Sequence, residues 1–306
     1  MIDGDDVPLD CLVALLAERS TIDSNADGTL NSLNPFTYKA TNDDVLHYGQ
    51  MLKDPDREKF EEGMKAEMKG LVDAETYEVI HKSALPAGIK PIQAIWSFRR
   101  KCLPDWTISK WKAHLCPHGG QQEHSINYWE TYAPVVNWST VHLVLILSLL
   151  TGLASRQIDY VQAYTQAPLD CDLYMHVPAG FHVHNMSLDF SNGQRTNIDD
   201  QNYILKLRKN LYGLKQAGNN WFRRLRKGLL SRGFKQSKID PCLFLRKDVV
   251  LVVYVDDCLL FARKPETLDN LITSLQQEFT LTDEGDVGAF LGLDIKRNEK
   301  GQLELT

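Results

Sequence analysis

The 306-residue chain has no stretch long and apolar enough to cross a bilayer as a helix. Its longest apolar run near a helical period, Val141 to Leu153, falls short of the roughly 20 residues that a span needs. Cationic residues are missing ahead of the apolar segment Leu12 to Ala17, which follows Asp3, Asp5, Asp6 and Asp10. A secretory signal has the opposite polarity, so neither membrane attachment nor secretion is expected. CxxC spacing is absent. The six cysteines (Cys11, Cys102, Cys116, Cys171, Cys242, Cys258) are scattered, as reduced intracellular thiols are, and suggest no disulfide framework. Cys116, His118 and His124 fit no common zinc pattern and lack an evident fourth ligand. With 43% hydrophobic and 24% charged residues, the composition does not point to disorder.

Acidic residues are missing where basic ones are densest. From Lys206 to Lys238 there are 11 Lys and Arg and no Asp or Glu. Residues 1–80 hold 18 Asp and Glu against 7 Lys and Arg, a net of −11, so the rest carries +5 of the overall −6. The basic block is a candidate phosphate-facing surface; a solvated helix face would normally mix both signs.

What is present reads as alternating helices and strands. Leu9 to Ala17 suits a short helix, and Thr21 to Asn34 reads as linker. Asp54–Pro55 looks like a helix start, followed by Phe60, Met64, Met68 and Leu71 at helical spacing. Pro91 to Cys102 and Trp111 to Leu115 read as a hairpin joined by a turn over Leu103 to Thr107. Ser139 should cap a helix over Val141 to Leu153 that is apolar all round and therefore buried. A short strand then ends at Asp159. Leu173 to Val177 and Tyr203 to Leu207 read as strands, with His182 to Asn202 an insertion loop between them. Leu211 to Gly218 is a Gly-punctuated turn before an aromatic and basic helix, Trp221 to Leu230. Pro265 opens a helix with Leu268, Leu271, Ile272, Leu275 and Phe279 as its stripe. Phe290 to Ile295 reads as a strand, and Lys300–Gly301 as a turn into the last one.

The chain is organised around Val249 to Phe261, VVLVVYVDDCLLF, where Asp256 and Asp257 sit inside an apolar run that favours extended structure. A hairpin with the acids at its tip is the economical fold. Burying an unpaired carboxylate is costly, so these acids meet either water or a cation. Asp159 ends another apolar strand. If the two strands are neighbours, three carboxylates converge on one sheet edge. Oxygen-rich sites suit Mg²⁺, and two such ions can clamp the oxygens of an in-line phosphoryl displacement. Spacing alone leaves nucleotidyl transfer and metal-dependent nuclease chemistry both open.

Tyr254-Val255-Asp256-Asp257 resembles the YxDD box of reverse transcriptases. Three further stretches, Glu130-Thr131-Tyr132-Ala133-Pro134-Val135-Val136, Leu211-Tyr212-Gly213-Leu214-Lys215-Gln216 and Phe290-Leu291-Gly292, resemble those of the Ty1/copia-type branch. They stand in the family's order, and the likeness covers Asp54 to Ile295. It implies an α+β right-hand polymerase fold, with an antiparallel palm sheet backed by helices, a fingers hairpin and a partial thumb. Residues 1–50 would be an N-terminal extension, 51–264 fingers and palm, and 265–306 the end of the palm and a truncated start of the thumb. The resemblance makes Asp159, Asp256 and Asp257 the catalytic, metal-binding acids, holding two Mg²⁺ ions with Mn²⁺ as an alternative. It places Lys112 and His114 near the triphosphate, and Tyr164 under the incoming sugar, where a bulky ring disfavours a 2′-hydroxyl. Tyr212, Gly213, Lys215 and Gln216 would border template and nucleotide.

The implied partners are an RNA or DNA template with its primer, deoxynucleoside triphosphates, and the integrase and RNase H segments of a parent Pol polyprotein. The implied location is a cytoplasmic retroelement particle. The chain departs from the family at His114, where an Arg is usual. His holds a phosphate less well than Arg at neutral pH. Trp106, His142 and Gly218 depart too. The implied activity is RNA-directed DNA synthesis. The alternatives are an impaired polymerase fold that only binds nucleic acid, or a two-metal nuclease.

Overall fold

The computed structural model describes residues 45–102, 107–182, 187–188, 201–290, 293–297 and 303–305. The expected helix at Leu9 to Ala17, the linker at Thr21 to Asn34, the turn at Leu103 to Trp106, most of the insertion loop, Leu291–Gly292 and the Lys300–Gly301 turn lie outside these residues. In chain order the first elements are β1 (Val45–His47), α1 (Tyr48–Met51), α2 (Arg57–Asp73), β2 (Tyr77–His81), β3 (Ala94–Cys102) and β4 (Ile108–Pro117). Then come α3 (Trp138–Leu150), β5 (Ala154–Tyr160), β6 (Pro168–His176), β7 (Phe181–His182), β8 (Ser187–Leu188) and β9 (Tyr203–Lys209). The last are α4 (Ala217–Ser231), β10 (Lys235–Gln236), β11 (Leu243–Arg246), β12 (Val249–Tyr254), β13 (Asp257–Ala262), α5 (Pro265–Gln276), β14 (Leu281–Gly285), β15 (Ala289–Phe290), β16 (Leu293–Arg297) and β17 (Leu303–Leu305). The fold is mixed α+β, and among the described residues every strand pairing within its sheets is antiparallel. Among the described residues no helix is long and apolar enough to cross a membrane.

The chain forms two compact units. One holds Ala133–Ala163 and the described part of Phe222–Thr306. Its six-stranded sheet runs β10-β11-β12-β13-β5-β14. The central strands β12 and β13 are apolar because both faces are covered; Val249 to Val253 and Cys258 to Ala262 are all buried. Helix α5 packs on β13 and β5 through Leu268, Leu271, Ile272 and Leu275, with Pro265 at its first turn as expected. Helix α3 starts at Trp138 after Asn137, so Ser139 lies inside the first turn and is not the cap. It is also not buried all round: Ile146 is 54% and Leu150 81% exposed. A helix of 13 residues buries only the side that meets its neighbours, whatever the rest of its composition.

The other unit holds the described parts of Lys39–Tyr132 and Tyr164–Trp221. It contains the sheets β1-β3-β4 and β2-β9-β6. Helix α2 lays Phe60, Met64, Met68 and Leu71 against β4, with Phe60 edge-on to Phe98 at 5.5 Å. Gly63 lets the helix come that close, because a Cβ there would lie 3.0 Å from the Trp111 carbonyl oxygen. The helix starts at Arg57, later than Asp54–Pro55 suggests, since the Asp54 carboxylate accepts the Asp56 N–H and both acids pair with Arg100. Helix α4 starts earlier than expected, at Ala217, which puts Gly218 in a helix and not in a turn. Two expected single elements are composite. Ser187–Leu188 of the supposed insertion loop pairs with Phe181–His182, and Phe290 pairs with Leu293 on a separate strand.

Candidate active site

Strands β12 and β13 pair from Val249↔Ala262 to Tyr254↔Asp257, leaving Val255 and Asp256 as a two-residue loop. Val255 has φ +55°, while Asp256 keeps a negative φ, the sign pattern of a type II′ hairpin turn. Glycine normally takes that first position. A β-branched side chain there is strained, and such strain persists only where the surroundings hold it. Here β5 supplies one hold: the Tyr160 N–H donates to the Asp256 carbonyl at 2.9 Å.

The register of β13 on β5 places Asp257 directly opposite Asp159, a spacing of about 4.5–5.5 Å between Cα atoms in such pairs. Thr282 of β14 sits opposite Asp159 on the other side. Alternation along β5 puts Gln157 on the same face as Asp159, and its amide bonds the Asp257 carboxylate. Burial, then the Asp256 and Asp159 charges, push the Asp257 carboxyl up to about 6, against the pull of the Gln157 bond. The structure therefore gathers all three predicted acids at one end of one sheet. Cys258 is fully buried on the opposite face, and burial raises its thiol well above the usual range, which makes it a core residue.

Among the described residues no group of three or more His, Cys, Asp or Glu is arranged to hold a metal ion by itself. Mg²⁺ does not require one: it takes one or two carboxylates, keeps waters and binds substrate phosphate oxygens. Burial, with the Asp256 and Asp159 charges beside it, raises Asp257, and a cation near these carboxyls would offset that charge, so the residues present fit such an ion.

The predicted nucleotide-facing residues belong to the other unit. Along β4, Ala113 and Leu115 point into the core, while Lys112 and His114 take the opposite face and Lys112 is exposed. The His114 Nδ1 lies 3.2 Å from Glu67 Oε1, and the same oxygen accepts the Leu115 N–H on the open edge of β4. Tyr212 packs beside both His114, with ring centroids 5.7 Å apart, and Tyr164, at 4.4 Å. Gly213 has φ +104°, and a Cβ there would lie 2.7 Å from the Pro117 carbonyl oxygen, so only glycine fits. Gln216 is fully buried and bonded to the Gln122 side chain and the Asn127 carbonyl. Lys215 donates to the Gln122 carbonyl and the Tyr128 hydroxyl. Both side chains turn inward and hold the 211–216 loop to the 119–128 segment.

Of the departures from the family pattern, His142 is exposed beside Trp138 on α3, and Trp106 lies outside the described residues. Sequence reasoning missed Gln157, Glu67, Gln122 and Asn127. Gln157 could have been found from strand alternation; Glu67 is 47 positions from His114 and leaves no local sign.

The chain matches, over residues 74–305, the family model described as reverse transcriptase (RNA-dependent DNA polymerase). It is 32% identical over 256 residues to the retrovirus-related Pol polyprotein from transposon RE1 of Arabidopsis thaliana, covering 82% of this chain and 16% of that protein. It is 27% identical over 253 residues to the Pol polyprotein from transposon TNT 1-94 of Nicotiana tabacum, covering 81% of this chain and 18% of that one. To the transposon Ty1-ER2 Gag-Pol polyprotein of Saccharomyces cerevisiae it is 25% identical over 293 residues, covering 90% and 15%. The chain thus spans only a small part of the length of these relatives.

Proposed function

This chain belongs to the reverse transcriptase (RNA-dependent DNA polymerase) family, and on that premise we propose that it catalyses RNA-directed DNA synthesis as part of a Ty1/copia-type Pol polyprotein. The supporting observation is the register that sets Asp257 opposite Asp159 beside the Asp256 loop. In this reading Asp159 and Asp256 hold two Mg²⁺ ions, and Asp257 supports them as a neighbour whose charge the ions offset. When bound, the ions supply charge stabilisation for a primer 3′-hydroxyl displacing pyrophosphate from the α-phosphate. Lys112, exposed on β4, steadies the triphosphate. Tyr164 faces the incoming sugar, while Lys215 and Gln216 act through the loop they hold.

We assign β3 and β4 to the fingers, the six-stranded sheet to the palm, and residues 265–306 to the end of the palm and the start of the thumb. Template, primer and deoxynucleoside triphosphates are the partners this reading requires, with integrase and RNase H segments elsewhere in the parent polyprotein. Primer extension on an RNA template with Mg²⁺ tests it. Asp256→Asn should lower the rate by about a thousandfold, the upper end of the loss seen when one charge-stabilising group is removed. Undiminished extension by that variant would sink the assignment.

One observation favours a second reading, an impaired enzyme that still binds nucleic acid. His114 stands at the position where the family resemblance expects a triphosphate-binding Arg, and its ring is engaged with Glu67. His114→Arg separates the two: a large gain in extension rate marks a damaged polymerase, and no gain with intact duplex binding marks a binding module.

A further inference from the structure

We propose that Tyr212 is a positioning residue for sugar selection, acting by holding the Tyr164 ring in place; this rests on the polymerase reading above. The two ring centroids lie 4.4 Å apart with planes at 41°, so Tyr164 cannot swing toward Tyr212. Tyr164 itself stands on a four-residue 3-10 turn, Ala163–Gln166, and is only partly buried. Tyr212 also packs against the His114 ring, at 5.7 Å and 33°, and His114 is held by Glu67. The Glu67 side chain is 13% exposed and also accepts the Leu115 N–H, so the carboxylate is pinned to the β4 edge.

The backbone beneath Tyr212 is equally constrained. A Cβ on Gly213 would meet the Pro117 carbonyl oxygen, and one on Gly119 would collide with the Gly213 carbonyl. The Lys215 N–H donates to the Gln122 side chain at 2.8 Å, and that side chain donates to Gln216 at 2.9 Å. A ring that discriminates against one extra hydroxyl must be unable to retreat, because a small rotation would relieve the clash. The stack Tyr164–Tyr212–His114 supplies that resistance, so selectivity belongs to the stack and not to Tyr164 alone.

The test is primer extension by the full chain, comparing kcat/KM for a deoxynucleotide and its ribonucleotide counterpart. Tyr164→Val sets the scale, with the deoxy-over-ribo ratio falling about a hundredfold. Tyr212→Leu and Tyr212→Met should each lower the ratio about tenfold, through a rise in ribonucleotide relative to deoxynucleotide kcat/KM. Tyr212→Phe, which keeps the ring, should keep the ratio. The double variant Tyr164→Val/Tyr212→Leu should be no less selective than Tyr164→Val, as expected when one residue acts through the other. Equal losses with both nucleotides in Tyr212→Met, or additive effects in the double variant, would overturn the inference. A ratio that Tyr164→Val leaves unchanged would instead remove the role of Tyr164. A chain that extends no primer would remove the polymerase reading, and this inference with it.

Discussion

In the folded chain the Asp257 carboxyl keeps its proton up to a pH of about 6, whereas in the unfolded chain it would release it near 3.8. The folded state therefore binds more protons than the unfolded state between those values. Stability in metal-free solution falls as pH rises through that window and then levels off. Asp257→Asn removes the carboxylate and should flatten this part of the profile, leaving the variant more stable than the unaltered chain above pH 6. Urea midpoints from pH 4 to 8 in EDTA would show it, and parallel profiles for the two proteins would refute it. The same excess of negative charge predicts that Mg²⁺ at pH 7 raises the melting temperature of the unaltered chain by a few degrees, and that of Asp159→Asn much less. At this scale the acids were legible because a carboxylate pair inside an apolar run is conspicuous. Their closeness was not, since the Asp257↔Asp159 register depends on which strand lies beside β13.

At the scale of the element, Asp240 joins the start of α3 to the strand that leads to the hairpin. It is 1% exposed, and its carboxylate accepts from the Asn137 N–H, the Thr140 hydroxyl and the Cys242 N–H. Asp240→Ala leaves those donors without their acceptor and should cost about 3 kcal/mol of stability, with Asp240→Asn losing less. Equilibrium denaturation measures both, and a loss under about 1 kcal/mol for the Ala variant would show that water replaces the carboxylate. No sequence pattern pointed to Asp240, because Asn137 and Thr140 lie about 100 positions away and each is an ordinary loop or helix residue. The amphipathic stripes of α2 and α5 were legible because each helix buries one face, and the β12–β13 hairpin because covering both faces makes its strands an unbroken apolar run. The starts of α2 and α4 were misplaced because distant contacts decide them: Arg100 pairs with the acids before α2, and Gln122 ties down the loop before α4.

Across the whole molecule, the uninterrupted basic block from Lys206 to Lys238 suggests a long phosphate-binding surface, but folding divides its charges. Lys206 pairs with Asp172 at 3.0 Å, Arg208 with Glu78 at 2.9 Å and Arg232 with Glu278 at 2.7 Å. Lys209 and Lys215 donate to backbone carbonyls of the Ala74 and Gln122 residues. On α4, Arg226 and Lys227 remain exposed, and neither pairs with a carboxylate among the described residues. Each phosphate neutralised in a duplex contributes about −0.9 to the slope of log K against log salt. If all 11 basic residues touched phosphate the block alone would give a slope near −10; the pairing seen here predicts a value of about −5 or weaker. Replacing Arg226 and Lys227 together by Ala should reduce the slope by about 2, whereas Lys206→Ala or Arg208→Ala should leave it nearly unchanged. Fluorescence anisotropy of a primer–template duplex over a salt series reads these slopes directly. An equal reduction from Lys206→Ala would mean that its ion pair with Asp172 opens on binding, so that charge density along the sequence, and not its disposition in the fold, governs the grip on nucleic acid.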